Sequence, residues 1–322
     1  MRKSRRWLNL LYNLPIPACL QVNMDLLFFT HFLNALCMIA LPIGLGVFLT
    51  RRFRLPWRIW WIGAATFILS QVGHIPFNSL LTLAFLRGWL PNPPLAWVPY
   101  FNPVVLGLSA GLWEELSRYA VLRFWLKDAR SWAKGVLFGA GHGGVEALIF
   151  GGLAMLAFFQ FAGLRHADLT SMFPAGSLAA AQQQVTAYWS AAWPATLLGA
   201  VERLFALPAH IAFAVLVMQV FTRRQGYWLW LAVALHAVLD GVSVYLLQLW
   251  KNLPWGVYAI DGVIGLFALV MLAIIFRLRA PEPPVVPAVE ETREPPALTP
   301  SVEANRPARE ETAEDLDRTR FQ

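Results

Sequence analysis

Glu114 and Glu115 stand side by side in the run Gly111-Leu-Trp-Glu-Glu-Leu-Ser-Arg-Tyr119, inside a stretch otherwise apolar enough to cross a bilayer. A carboxylate at the centre of a membrane costs roughly 2.5–3.5 kcal/mol on insertion scales, so an adjacent pair persists only where something neutralises or uses it. On a helix, Arg118 is i+4 from Glu114 and i+3 from Glu115, within reach of either. With Arg118 holding one carboxylate, the other is left to act as a base. The bland alternative is a structural ion pair that ties two helices together.

Three further runs carry groups of the same kind. Gly141-His-Gly-Gly-Val-Glu-Ala147 sets His142 and Glu146 at i, i+4, among glycines that let another helix approach closely. Glu202 and Arg203 precede His210 by about two helical turns, and His236 and Asp240 form another i, i+4 pair. Such a pair suits a carboxylate that orients an imidazole, or two groups that share one ligand. Gln71, His74 and Asn78 surround Pro76 and are expected to serve helix packing, with hydrogen bonding to a substrate backbone as the alternative.

The elements that must carry these residues are membrane helices. Of 322 residues, 57% are hydrophobic and 14% charged, far from the balance of a soluble domain. Apolar runs at 26–49, 59–86, 103–126, 133–161, 195–221, 228–249 and 255–277 are each long enough to span a bilayer. The expected fold class is all-α, a polytopic bundle of seven transmembrane helices. Arg51, Arg52, Arg54 and Arg58, then Lys127, Arg130 and Lys134, then Arg223 and Arg224 fall in alternate connections. The positive-inside rule therefore puts those connections and the C-terminus in the cytoplasm and the N-terminus outside. The expected location is the cell inner (cytoplasmic) membrane.

Residues 1–23 read as an N-terminal extension or a misassigned start, with Met24 as the other candidate start. Residues 24–279 form the membrane domain, and 280–322, rich in Pro, Glu and Arg, is expected to be a disordered cytoplasmic tail. A short interfacial helix is expected around Ala179–Gln184, within the connection 164–193. Two cysteines, Cys19 and Cys37, exclude a disulfide framework or a Cys-rich metal motif, and the net charge of +7 marks topology rather than nucleic-acid binding.

Depth gathers the motifs. Glu114, His142, Glu146, His210, His236 and Asp240 lie roughly 9–13 residues from the basic-flanked ends of four helices, or about 13–20 Å at 1.5 Å per residue. Independent ion pairs have no reason to share a layer. Two chemistries fit one site there. In the first, His142, His210 and His236, or two of them with a carboxylate, bind Zn²⁺, and Glu114 or Glu115 deprotonates the water it holds. In the second no metal is needed: a carboxylate activates water, while a histidine and Asp240 stabilise the oxyanion. Both hydrolyse an amide. One rival is a proton- or ion-coupled transporter, whose polar groups would extend across both halves of the membrane. The other is an inactive binding protein of the same fold.

Glu114-Glu115-x-x-Arg118, the histidine of the next span and His236-x-x-x-Asp240 resemble the CAAX-protease and bacteriocin-processing superfamily. Gly141-His-Gly-Gly-Val-Glu146 and the Glu202-Arg203…His210 span are similar, within it, to the YhfC family of intramembrane metalloproteases. Two residues separate the pair from Arg118, where the usual motif has three. The resemblance spans about 24–279. It implies a membrane peptidase in which Glu114 is the catalytic carboxylate and Glu115 its partner, with His142, His236 and Asp240 completing the site. The implied partners are the lipid bilayer and a membrane-embedded or membrane-associated peptide substrate, whose scissile bond would approach from the cytoplasmic side.

Overall fold

A computed structural model describes residues 18–127 and 130–280, with side chains from Asp25 onward. These residues fall in the first of two compact units, 1–282. The expected proline-rich tail lies outside the described residues apart from Ala280, and so do residues 1–17 of the expected extension. Residues 18–23 are already helical. No proline follows Pro17 until Pro42, so nothing stops the first helix from propagating back past Asp25.

The described residues are all-α: α1 (Ala18–Phe53), α2 (Trp57–Leu86), α3 (Val98–Phe124), α4 (Trp132–Leu164), α5 (Leu169–Met172), α6 (Ala175–Trp189), α7 (Leu198–Thr222), α8 (Tyr227–Trp250) and α9 (Gly256–Arg277). Six of them (α1, α3, α4, α7, α8 and α9) contain segments long and apolar enough to cross a membrane. The expected seventh run forms a continuous 30-residue helix, α2. Gln71, His74 and Asn78 dilute its hydropathy, and it is not among the six. The expected interfacial helix is α6, which docks through Trp189 against Leu27 of α1 and Phe158 of α4. Large apolar side chains such as Phe29, Val72, Leu153 and Leu266 remain exposed around the bundle. That pattern suits lipid and would be untenable in water.

The helices pack around α4 and α7. α4 lies against α1, α2 and α7, while α7 also meets α8 and α9, and α3 lies along α8. In α7, 67% of the apolar segment is buried, against 17–28% in the other five candidate spans. Small residues set the spacing. A Cβ on Gly63 would strike the Phe138 carbonyl, and one on Gly141 would strike the Trp60 carbonyl, so α2 and α4 touch backbone to backbone. Gly111 likewise lies against the Val233 carbonyl of α8.

The buried core is lopsided. Ile59 and Trp60 of α2, Val121 and Leu122 of α3, Leu137 and Phe138 of α4, Phe213–Met218 of α7, Leu229 of α8 and Met271 of α9 form one cluster. All lie toward the helix ends that meet the Arg- and Lys-bearing connections. That end of the bundle is a close-packed apolar plug. Replacing Gly141 by Leu should lower stability by on the order of 2–3 kcal/mol through backbone overpacking, whereas Gly152→Leu, facing open space, should be silent. Thermal unfolding of the two variants in detergent checks this, and equal midpoints would contradict the backbone contact.

Candidate functional site

Immediately beyond the plug, α3, α4, α7 and α8 each turn an ionisable side chain inward. Glu114, Glu115, Arg118, His142, His210 and His236 are all buried, the Arg118 and His142 side chains completely. Helical spacing explains the pairs along one chain, and glycines allow those between helices. A Cβ on Gly143 would lie 2.8 Å from the His210 Cβ, so only glycine lets the His210 ring pass α4 at this level.

Arg118 is the hub. Its Nη1 donates to Glu115 Oε1, and its Nη2 lies 3.4 Å from Glu114 Oε2 and 2.8 Å from His210 Nδ1. Glu114 Oε2 also receives His142 Nε2 at 3.0 Å and has His210 Nδ1 at 3.9 Å. Glu114, His142 and His210 each offer one donor atom, and the three atoms lie within 4.8 Å of one another. This is the group among the described residues that could hold a metal ion. Tetrahedral bonds of about 2.0–2.1 Å would set ligand atoms about 3.3 Å apart, and the separations of 3.0 and 3.9 Å from Glu114 Oε2 bracket that spacing.

Of the two ligand sets expected, three histidines or two with a carboxylate, the second is gathered here as Glu114, His142 and His210, while His236 Nε2 faces the same Glu114 oxygen from α8. His236 Nδ1 is 2.7 Å from Glu115 Oε1, while its Nε2 lies 3.9 Å from Glu114 Oε2 and 3.5 Å from Asp240 Oδ2. The ring is fixed by stacking on Phe213, with centroids 4.6 Å apart and planes 8° from parallel. Asp240 sits at the rim, its side chain 37% exposed.

A second shell extends along α4 and α7. His210 Nε2 meets Glu146 Oε2 at 2.6 Å, and Arg203 clamps Glu146 Oε1 at 2.6 Å and Glu202 Oε1 at 2.5 Å. A carboxylate on one ring nitrogen commits the other as donor to a ligand. Charge supports the same reading. Glu114, Glu115 and Glu146 face two buried guanidiniums, Arg118 and Arg203, so neutral histidines leave an excess negative charge suited to a cation.

Gln71 Nε2 donates to Glu114 Oε1 at 3.4 Å, and His74 and Asn78 continue from it along α2. Their spacing of three, four and seven marks one helix face, which connects to the site as well as to its neighbours. Phe213 is the member of the site that sequence reasoning missed, since it carries no polar signal.

Removing Arg118 alone strands a buried carboxylate. Arg118→Met should cost about 3–5 kcal/mol, and adding Glu115→Gln should recover part of it. A double-mutant cycle by denaturant unfolding in mixed micelles reads the coupling, and strict additivity would refute the hub.

The sequence profile of the family described as YhfC intramembrane metalloprotease matches residues 37–260. The chain is 29% identical over 212 residues to "Uncharacterized membrane protein YhfC" of Bacillus subtilis (strain 168), covering 63% of this chain and 79% of that protein. No solved structure matches it.

Proposed function

This chain belongs to the YhfC intramembrane metalloprotease family, and we propose that it is an intramembrane endopeptidase hydrolysing a peptide bond of a membrane-embedded or membrane-associated substrate. The observation that carries this reading is the buried meeting of Glu114, His142 and His210 from three helices, beside an oriented His236. Glu114, His142 and His210 would hold a divalent ion, zinc by the chemistry of the donor set, with His142 offering Nε2 and His210 Nδ1. Such an ion supplies Lewis acidity toward water and the scissile carbonyl.

The remaining groups divide the proton work. Glu115 accepts the Nδ1 proton of His236, so Nε2 is the basic atom that faces Glu114. His236 Nε2 takes a proton from the attacking water and returns it to the leaving amine, while Asp240 stabilises the imidazolium. Glu146, held by Arg203, keeps His210 in one tautomer. The 2.8 Å bond from Arg118 to His210 Nδ1 favours a second reading, since it occupies the atom that would ligate. In that reading Glu114 activates water without a metal.

Around the site, the domain 24–279 has seven spans, α2 included, with its N-terminus outside and its Arg-rich connections in the cytoplasm. The host is the inner membrane, and the proline-rich tail extends into the cytoplasm.

Elemental analysis of purified protein should find about one zinc per chain, most of it lost in His142→Ala and His210→Ala and kept in His236→Ala. In proteoliposomes holding a panel of single-span peptides, Glu114→Ala and His236→Ala should each slow cleavage by roughly a hundredfold or more. Cleavage that survives Glu114→Ala would end the protease reading, and metal-free activity would select the second mechanism.

A further inference from the structure

A cavity of about 480 Å³ opens at the ends of α2, α3 and α8 opposite the apolar plug. Its walls are mixed: Asn78, Thr82, Asn92, Asn102 and Gln248 lie among apolar residues such as Leu81, Phe85, Phe101 and Val105, and no charged side chain lines it. At about 30 Å³ per molecule the space holds roughly fifteen waters. Asn78 is both a wall of this cavity and the first member of a line of donors. Its Nδ2 donates to His74 Nε2 at 2.9 Å, which leaves the ring proton on Nδ1, 3.3 Å from Gln71 Oε1. Gln71 Nε2 then donates to Glu114 Oε1 at 3.4 Å. Each donor in the line points toward the carboxylate. Ser109 supports it from α3, its Oγ 3.2 Å from His74 Nε2.

We propose that this cavity is the aqueous vestibule of the site, and that the Asn78–His74–Gln71 face of α2 is the polar wall along which water reaches Glu114. Three observations combine. The Arg- and Lys-bearing end is closed by tightly packed Phe138, Phe213, Leu216 and their neighbours. The opposite end carries a roomy cavity whose largely apolar walls include five uncharged polar residues. Between cavity and carboxylate, polar side chains are continuous on one face of α2, beside an exposed apolar face that carries Val72 and Leu80. Carboxamides do not readily pass protons along, so the wall guides water molecules rather than relaying charge. Water thus arrives from the side opposite the one expected for the substrate's scissile bond. That this water is consumed in hydrolysis rests on the peptidase reading, but the vestibule itself does not.

The test therefore avoids activity. In a Cys19→Ser, Cys37→Ser background, single thiols are placed at Gln248, Gln71, Val72 and Arg52, and a charged, membrane-impermeant thiol reagent is applied to each face of oriented vesicles. Thiols need water to ionise and react, so those at Gln248→Cys and Gln71→Cys should label at least about tenfold faster than lipid-facing Val72→Cys. Both should label from one face, and Arg52→Cys from the other. Filling the cavity with Asn102→Trp, or separately Thr82→Trp, should slow labelling at Gln71→Cys about tenfold and leave Arg52→Cys unchanged. Labelling of Gln71→Cys from the Arg52 face, or rates indifferent to both tryptophans in a monodisperse protein, would overturn the vestibule. Zinc content and cleavage, measured separately, would still stand or fall for the peptidase reading alone.

Discussion

Everything at the centre of this bundle depends on how negative charge is kept out of contact with hydrocarbon. Glu114, Glu115 and Glu146 are buried between apolar helices, where an isolated carboxylate would neutralise or drive the helices apart. Arg118 and Arg203 supply two compensating charges, and three imidazoles add further hydrogen bonds to the carboxylates. The arrangement leaves one negative charge in excess over the guanidiniums. A cluster optimised only for holding helices together would balance its charges. The surplus carboxylate here is suited to a cation or a proton.

That electrostatic demand reaches into the packing. Four helices must bring groups within hydrogen-bond distance, and they can do so only where side chains vanish at the crossings. Gly63 against α4, Gly141 against α2, Gly111 against α8 and Gly143 beneath His210 serve that end. The same contacts pull the basic-flanked half of the bundle into a solid core, while the other half stays loose enough to hold a cavity of mixed lining. Close packing on one side and open space on the other follow from a single asymmetry in where the glycines and the large apolar residues lie.

Much of this was legible in the residue order. Apolar runs placed the long helices to within a few residues, because hydrocarbon thickness demands a minimum length. The layer of Glu114, His142, His210 and His236 followed from counting residues inward from the basic connections. Partnerships within the layer did not follow. Counting gives depth along a helix and says nothing of rotation about it, so it left open whether His236 or a carboxylate joins His142 and His210. Gln71, His74 and Asn78 stayed divided between helix packing and substrate binding for a related reason. They run along the membrane normal instead of lying in the layer, and a depth argument passes over a line that crosses depths.

The sequence by itself determined that the chain is a bundle of membrane helices carrying expensive polar groups at one level, since length, hydropathy and i, i+4 spacing are local properties. Only the tertiary structure decided which carboxylate meets which imidazole, that Arg118 joins Glu114, Glu115 and His210, and which half of the bundle packs most closely. Those outcomes depend on the rotation and closeness of helices distant in the chain, and no single helix encodes them.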